Sequence, residues 1–331
     1  MKAFEWANAS TAQDAVKLLA PPAAGMDPDE VPHPIGGGQD LLTAMKGYMV
    51  RPSRVVNLKT IAGMDQIASD GKGGLKIGAT VTITALEEHA EIKSKYPGLA
   101  EAAASIATPQ IRHLGTVGGN LCQRPRCWYF RMDNVKCKKK GGTTCYAAAG
   151  ENKYNAIFPT GPSNIVHPSD LATMLVALGA SVTILGAGGP RTVPLEEFFI
   201  TPEQDVRREN VLKEGEIVTE IQVPAPSGKS TYLKFKERES LDFAMAAVAA
   251  AVELNADKTV KSVRLVLGGV ASVPWRVADT EKFLTGKPLT DANLAQAATM
   301  ALDGAQPLEK NGYKVPLAQA LVRRALSKLN A

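Results

Sequence analysis

Four cysteines, Cys122, Cys127, Cys137 and Cys145, fall within GGNLCQRPRCWYFRMDNVKCKKKGGTTC at the spacing C-x4-C-x9-C-x7-C, and the 331-residue chain has no others. A pair of disulfides would need an oxidising compartment. The start, MKAFEWANAST, is an apolar alternation with no export signal, so the chain is expected in the cytoplasm unless a partner carries it elsewhere. Metal ligation is the better chemistry. Structural zinc sites bring thiolates in close C-x2-C pairs, which this loop lacks. Iron–sulfur clusters accept looser spacings, because the corners of a cubane lie several ångströms apart. Such a site would be anionic, and Arg124, Arg126, Arg131, Lys136, Lys138, Lys139 and Lys140 can offset it, although a solvated basic face explains the last three equally well. Trp128, Tyr129 and Phe130 among these cations have the ingredients of a nucleic-acid site. With a net charge of only +5 and no basic stripe elsewhere, nucleic acid is not expected.

Two glycine runs carry the second chemistry. PIGGGQDLL, residues 34–42, reads as a strand end, a three-glycine turn and a helix start. Backbone amides in such a turn point together, and the missing side chains let a diphosphate approach. The run is neither G-x-G-x-x-G nor a Walker motif, so the usual dinucleotide and nucleoside triphosphate readings fail. A second run, RHLGTVGGN at 112–120, directly precedes the cysteines. Two amide-rich loops on one domain would suit a long diphosphate ligand with a polar tail.

The elements that must position these loops alternate in period, which predicts an α+β protein. KAFEWANA reads as a strand, TAQDAVKLLA as a helix opened by Thr11, and RVVNLKTI as a strand after the helix from Leu41. GGLKIGATVTI reads as a hairpin or strand pair, and Thr84 and Glu87 have the spacing of a capping box. LAEAAASIATPQIR predicts a helix ended near Pro109. HPSDLATMLVALGASVTILG predicts a helix capped by Ser169 or Asp170 and then a strand. After the strand EIVTEIQVP, PSGKS at 226–230 is the best linker candidate, and FAMAAVAAAVEL, VKSVRLVLGGV and two helical patterns make a smaller unit. At 45% apolar and 21% charged residues, with no run near the roughly 18 apolar residues of a membrane span, no membrane insertion is expected.

IGGGQDL and IRHLGTVGGN, followed by HPSDLA, resemble the flavin-binding subunit of the molybdenum hydroxylases, the xanthine dehydrogenase, aldehyde oxidoreductase and carbon monoxide dehydrogenase group. The resemblance extends from MKAFEW to KFKERESLDFAMAAVAAAV and VLGGVASVPWR. GGNLCQRPRCWYF with CKKKGG and GENKYNAIF is similar to the periplasmic aldehyde oxidoreductase type, whose flavin subunit holds an extra four-iron four-sulfur cluster. The fold this implies is an FAD-binding domain of vanillyl-alcohol-oxidase (PCMH) type over 1–225, made of subdomains at about 1–58 and 59–225 with a cluster-binding insert at about 121–160. A C-terminal α+β domain with a small antiparallel sheet and helices would follow over 229–331.

By the same resemblance, Ile35, Gly36, Gly37, Gly38, Gln39, Asp40 and Leu41 would hold the FAD diphosphate. Thr108, Thr116, Gly118, Gly119 and Asn120 would form the second wall. Asp170 would accept hydrogen bonds from ligand hydroxyls, Lys234 would place a cation near the flavin ring, and Leu212 would lie against the ring. Cys122, Cys127, Cys137 and Cys145 would hold the cluster, shielded by Trp128, Tyr129 and Phe130. In the related hydroxybenzoyl-CoA reductase flavin subunit the first of these positions is not a ligand and a later cysteine is. GENKYNAIF, the matching region here, has none, so Cys122 is expected to complete the set. None of His33, His89, His113 and His167 suggests a covalent flavin attachment.

With no molybdopterin signature and no ferredoxin-like cysteine pattern, the resemblance implies a relay chain. A molybdenum-cofactor large subunit and a small subunit with two 2Fe-2S clusters would be its partners, and an external acceptor would take the electrons. A free-standing FAD oxidase of the same fold and a non-enzymatic metal-binding module are the rival readings.

Overall fold

The computed structural model describes residues 1–21, 26–27 and 29–330. Three sheets organise them. The first is parallel, with β1 (Glu5–Asn8), β2 (His33–Ile35) and β3 (Arg54–Asn57) in the order β1-β3-β2. Val55 of β3 enters a small core with Ile35 and Met45, while its neighbour Val56 faces the main core, as strand alternation requires. The first glycine run therefore leaves the carboxyl end of a parallel strand, the end at which open α/β sheets present ligand loops.

The second sheet is antiparallel, in the order β4 (Ile67–Ser69), β5 (Leu75–Gly78), β8 (Ile217–Val223), β6 (Ser181–Gly186), β7 (Gly189–Pro194). Between β5 and β6 the chain adds short helices, the cysteine segment and the helix Asp170–Ala177, every residue of which is buried. The third sheet, order β12-β11-β10-β9, contains β9 (Lys229–Phe235), β10 (Ala246–Leu254), β11 (Val260–Gly268) and β12 (Trp275–Arg276). The helices Ala278–Leu284, Asp291–Met300 and Lys314–Asn330 cover one of its faces. The result is the expected α+β arrangement, with a smaller C-terminal sheet and its helices following the first two sheets.

Several local expectations change. GGLKIGATVTI is one strand, β5, paired with β4 and β8, and not a hairpin in itself. The next helix is Ile83–Glu88, and its cap is Thr82, whose hydroxyl accepts the Ala85 N–H at 3.1 Å, so Thr84 lies inside. Thr82 is extended and bridged to Thr116, which turns the chain there. Pro109 opens a helix where it was expected to end one. Pro97–Ala104 stops first, Ala107 takes φ of 44°, and Thr108 caps Pro109–Leu114 with proline in the first turn, where its missing N–H costs nothing.

Candidate functional site

The two glycine runs meet across a cleft of about 510 Å³. A Cβ on Gly36 would stand 2.6 Å from Thr116 Oγ1, and one on Gly37 would stand 2.0 Å from the Leu114 carbonyl oxygen. Gly38 has φ of +72°, a conformation that side chains disfavour. The second run is fixed from behind: Ile83 donates to Gly115 O, and Gly118 to Ala79 O at 2.8 Å. Thr116 caps the turn Val117–Leu121 by accepting the Gly119 N–H at 3.2 Å. These glycines are required so that one loop can lie against the other and leave a backbone-lined cradle.

Asp170 and Lys234 close the cleft on the far side. Lys234 Nζ donates to Asp170 Oδ2 at 2.8 Å and to Ser105 O at 3.2 Å, and Tyr232 Oη donates to Asp170 Oδ1 at 2.5 Å. Burial first, and the neighbouring carboxylate second, push the Tyr232 phenol well above its ordinary range, so it stays a donor. Lys234 thus brings its cation to the cleft wall paired with the Asp170 carboxylate. Ser169, not Asp170, caps the helix by accepting the Ala172 N–H, and its hydroxyl also donates to Asn120 Oδ1 at 2.5 Å. Ile35 to Leu41, Thr116, Gly119, Asn120, Asp170 and Lys234 all line the cleft. Thr108, Gly118 and Leu212 do not. Thr108 is a helix cap, Gly118 packs on Ala79, and Leu212 borders an adjoining basic cavity of about 670 Å³ that shares His33 and Arg124 with the cleft. The cleft fits a dinucleotide such as FAD: residues 36–38 present it with backbone free of side chains, and Arg126, on its wall, has a buried Nε with no partner.

Asp40 plays a part not visible in the sequence. It accepts the Arg124 N–H at 2.8 Å and Arg131 Nη2 at 2.8 Å, and pairs with Arg126 at 3.1 Å. Arg124 also pairs with Glu209 at 3.1 Å, as does Lys139 at 2.8 Å. Burial works to raise the Glu209 carboxyl, but Arg124 and Lys139 reverse this and hold it below its ordinary range. Four of the seven cations expected to offset a cluster are therefore paired with carboxylates. They tie the cysteine segment to the first glycine loop and to the chain at 209. No short-range signal marks this, because Asp40 and Arg124 are 84 residues apart.

The cysteines do not gather as four. Cys127, Cys137 and Cys145 line one small cavity with Phe130, Asn155, Ser163 and Ile165. The tight turn at Gly141, φ 78°, and Gly142 folds Lys138–Lys140 back and brings Cys137 beside Thr144. Burial raises the Cys127 thiol, opposed by the N–H groups of Phe130 and Tyr129 and by Asn155, whose Nδ2 lies 3.8 Å from its sulfur. Asn164 Nδ2 stands 3.6 Å from Cys145 Sγ. Cys122, in contrast, ends the turn Val117–Leu121, packs on the main core and lines the flavin-type cleft. Burial alone pushes its thiol up to about 12, the behaviour of a packed neutral thiol.

All four cysteines are free, and among the described residues no three His, Cys, Asp or Glu side chains converge as a single ion would require. Asn155 and Asn164 each turn an amide nitrogen toward a sulfur, that of Cys127 and of Cys145. The cavity measures about 10 Å³, room for about one water, so the site as it stands does not fit a cluster. Phe130 shields it from solvent, whereas Trp128 is 56% exposed and lies against Tyr154. A further cavity of about 410 Å³ touches both sites, sharing Asp170 and Arg126 with the cleft and Cys127 with the cysteine cavity.

The family described as the FAD binding domain in molybdopterin dehydrogenase matches residues 2–226, and the CO dehydrogenase flavoprotein C-terminal domain matches 230–329. The chain is 33% identical over 340 residues to the aldehyde oxidoreductase FAD-binding subunit PaoB of Escherichia coli (strain K12), covering 100% of this chain and 99% of that one. It is 28% identical over 336 residues to the carbon monoxide dehydrogenase medium chain of Afipia carboxidovorans, covering 99% and 97%. Among solved structures, quinoline 2-oxidoreductase from Pseudomonas putida 86 shares the fold, with a TM-score of 0.76 at 22% identity over 100% of this chain and 98% of that one.

Proposed function

The chain belongs to the family of FAD-binding subunits of the molybdenum hydroxylases, and from that premise we propose that it is the flavin electron-transfer subunit of an aldehyde oxidoreductase-like complex. The observation that carries this is the cleft in which two glycine loops approach within a missing side chain of each other, opposite the Asp170–Lys234 pair. When bound, FAD supplies a centre that takes electrons singly or in pairs.

The protein's own groups have positional and electrostatic tasks. The amides of residues 36–38 would face an anionic diphosphate without side chains in the way, while those of Gly119 and Asn120 are held by Thr116 and fix the opposite loop. Asp170, held by Tyr232 and Lys234, offers its remaining lone pairs to hydroxyls of the ligand. Arg126, beside Asp40 and 4.9 Å from the Phe243 ring, keeps one donor for the ligand. Lys234, paired with that carboxylate at 2.8 Å, fixes this side of the cleft. Hydroxylation of a substrate would occur on a molybdenum-bearing large subunit, with a small subunit of two 2Fe-2S clusters between. This chain would then pass electrons to an external acceptor. We assign the flavin region to 1–225, the insert to about 121–160 and the C-terminal domain to 229–331.

Purified protein should be yellow and release FAD on denaturation. Coexpressed with a molybdenum subunit and a two-iron subunit, it should elute with them as one complex. A chain that binds no flavin as isolated or after reconstitution would refute the reading, and a solitary chain with full oxidase turnover would replace it by a free-standing flavin oxidase.

A further inference from the structure

Beside the flavin-type cleft lies the cavity of about 410 Å³. Arg126, Pro168, Asp170, Asp242 and Phe243 line both spaces, so a molecule in one is the neighbour of a molecule in the other. The volume suits a small ring system, since ligand sites span about 300–1,000 Å³. On the cavity wall stands His167, 5% exposed, with its Nε2 buried and unpartnered. Burial lowers its pKa to about 4 and keeps the ring neutral. Because Nδ1 accepts the Ser169 N–H at 3.3 Å, the single ring proton sits on Nε2, which is therefore a donor. A buried donor without an acceptor costs free energy that most proteins avoid. The hydroxyls of the same wall are occupied: Thr173 donates to Ser169 O, Ser169 to Asn120, Tyr154 to Glu237 and Tyr232 to Asp170. What is missing at His167 is an acceptor atom brought by a ligand.

The charges on the wall decide which kind of ligand. Arg126, Lys153 and Arg238 are paired with Asp40, Glu237 and Asp242, and Glu151 and Asp170 with Lys310 and Lys234. No fixed cation is left over for a phosphate or a carboxylate, so the cavity suits a neutral molecule. Trp128, 56% exposed, and Tyr154 lie with ring centres 5.7 Å apart, and both line the cavity. Exposed aromatic faces of this kind stack on flat rings. We propose that the cavity binds a quinone, a neutral planar ring with carbonyl oxygens, as the electron acceptor of the flavin. One carbonyl accepts the His167 Nε2–H, and the ring packs on Trp128 and Tyr154. This rests on the reading that the neighbouring cleft holds FAD. The quinone takes two electrons and two protons from the reduced flavin, both carbonyls become hydroxyls, and the quinol departs with the flavin reoxidised.

The test is equilibrium dialysis of menadione against FAD-loaded, full-length wild type, His167→Leu, His167→Gln and Trp128→Ala, with FAD content read alongside to report folding. Wild type should bind menadione saturably, one per chain, and excess NAD+ should not displace it. His167→Leu should weaken binding about tenfold, the loss of one hydrogen bond to a buried donor. His167→Gln, which keeps an N–H donor, should recover most of that loss. Trp128→Ala, at an exposed position, should weaken binding about threefold or more with FAD content unchanged; if His167→Leu loses its FAD, this variant decides alone. Flavin without saturable menadione binding, a folded His167→Leu or Trp128→Ala that binds as wild type does, or displacement by NAD+ would overturn the assignment and leave the FAD cleft standing. Menadione binding without flavin would overturn the FAD reading and the acceptor role with it.

Discussion

At the scale of the residue, the glycines of the first run state their requirement most sharply. A Cβ at Gly37 would lie 2.0 Å from a backbone oxygen, which no rotamer can avoid. Gly37→Ala should therefore weaken FAD binding by at least about tenfold, or about 1.4 kcal/mol. Gly188→Ala, where nothing lies within 4 Å, should leave binding unchanged; flavin titration of both proteins checks this. His167 makes a second demand. Its Nδ1 accepts the Ser169 N–H at 3.3 Å, its Nε2 is buried without a partner, and burial lowers its pKa to about 4. Between pH 6.5 and 4 the unfolded chain takes up a proton that the folded one refuses, so stability falls as pH falls through that window, by about 3 kcal/mol in all. Denaturant midpoints across that range should show the slope in wild type and lose it in His167→Asn. The glycine runs were legible in the sequence because a missing Cβ is a local requirement. Asp40 was not, since the arginines that hold it arrive from a distant segment.

Elements were legible where one face is buried and the other wet. The helix Ala12–Leu18 has Thr11 as its cap, as expected, with Asp14 N–H donating to the hydroxyl. Strand β10 shows no such alternation in FAMAAVAAAVEL because both its faces are covered: Ala247 and Ala249 enter the main core, Ala246, Val248 and Ala250 the C-terminal one. Boundaries failed where a cap or proline could serve either of two helices, as at Thr84 and Pro109. Contacts between elements could not be read at all. The last helix and the turn before it grip the closing side of the cysteine loop: Asn311 Nδ2 donates to Asn155 O and Ala156 O, each at 3.1 Å, and Lys314 Nζ to Tyr154 O at 3.0 Å. Asn311 is fully buried, so Asn311→Ala strands those carbonyls at a cost of about 3 kcal/mol. Amide hydrogen exchange over 152–158 should accelerate and alkylation of Cys127 should quicken; unchanged rates would mean that the grip is redundant.

For the whole molecule, the family regions at 2–226 and 230–329 divide the chain but not its packing. Gly98 approaches β9 so closely that a Cβ would stand 2.8 Å from Thr231 N, and Tyr232 and Val266 of the third sheet belong to the main core. Calorimetry of the FAD-loaded protein should then give one transition, with calorimetric and van't Hoff enthalpies equal; two resolved transitions would show independent domains. Asp40 gives this unity a further meaning. It sits on the first glycine loop, yet its carboxylate is held by three arginines of the cysteine segment. Anything that fixes one loop lowers the entropy the other must lose, and linkage makes this help mutual and equal in both directions. Seating FAD on the first glycine loop should therefore quieten the cysteine segment as well, and whatever loosens that segment should cost the chain part of its grip on flavin.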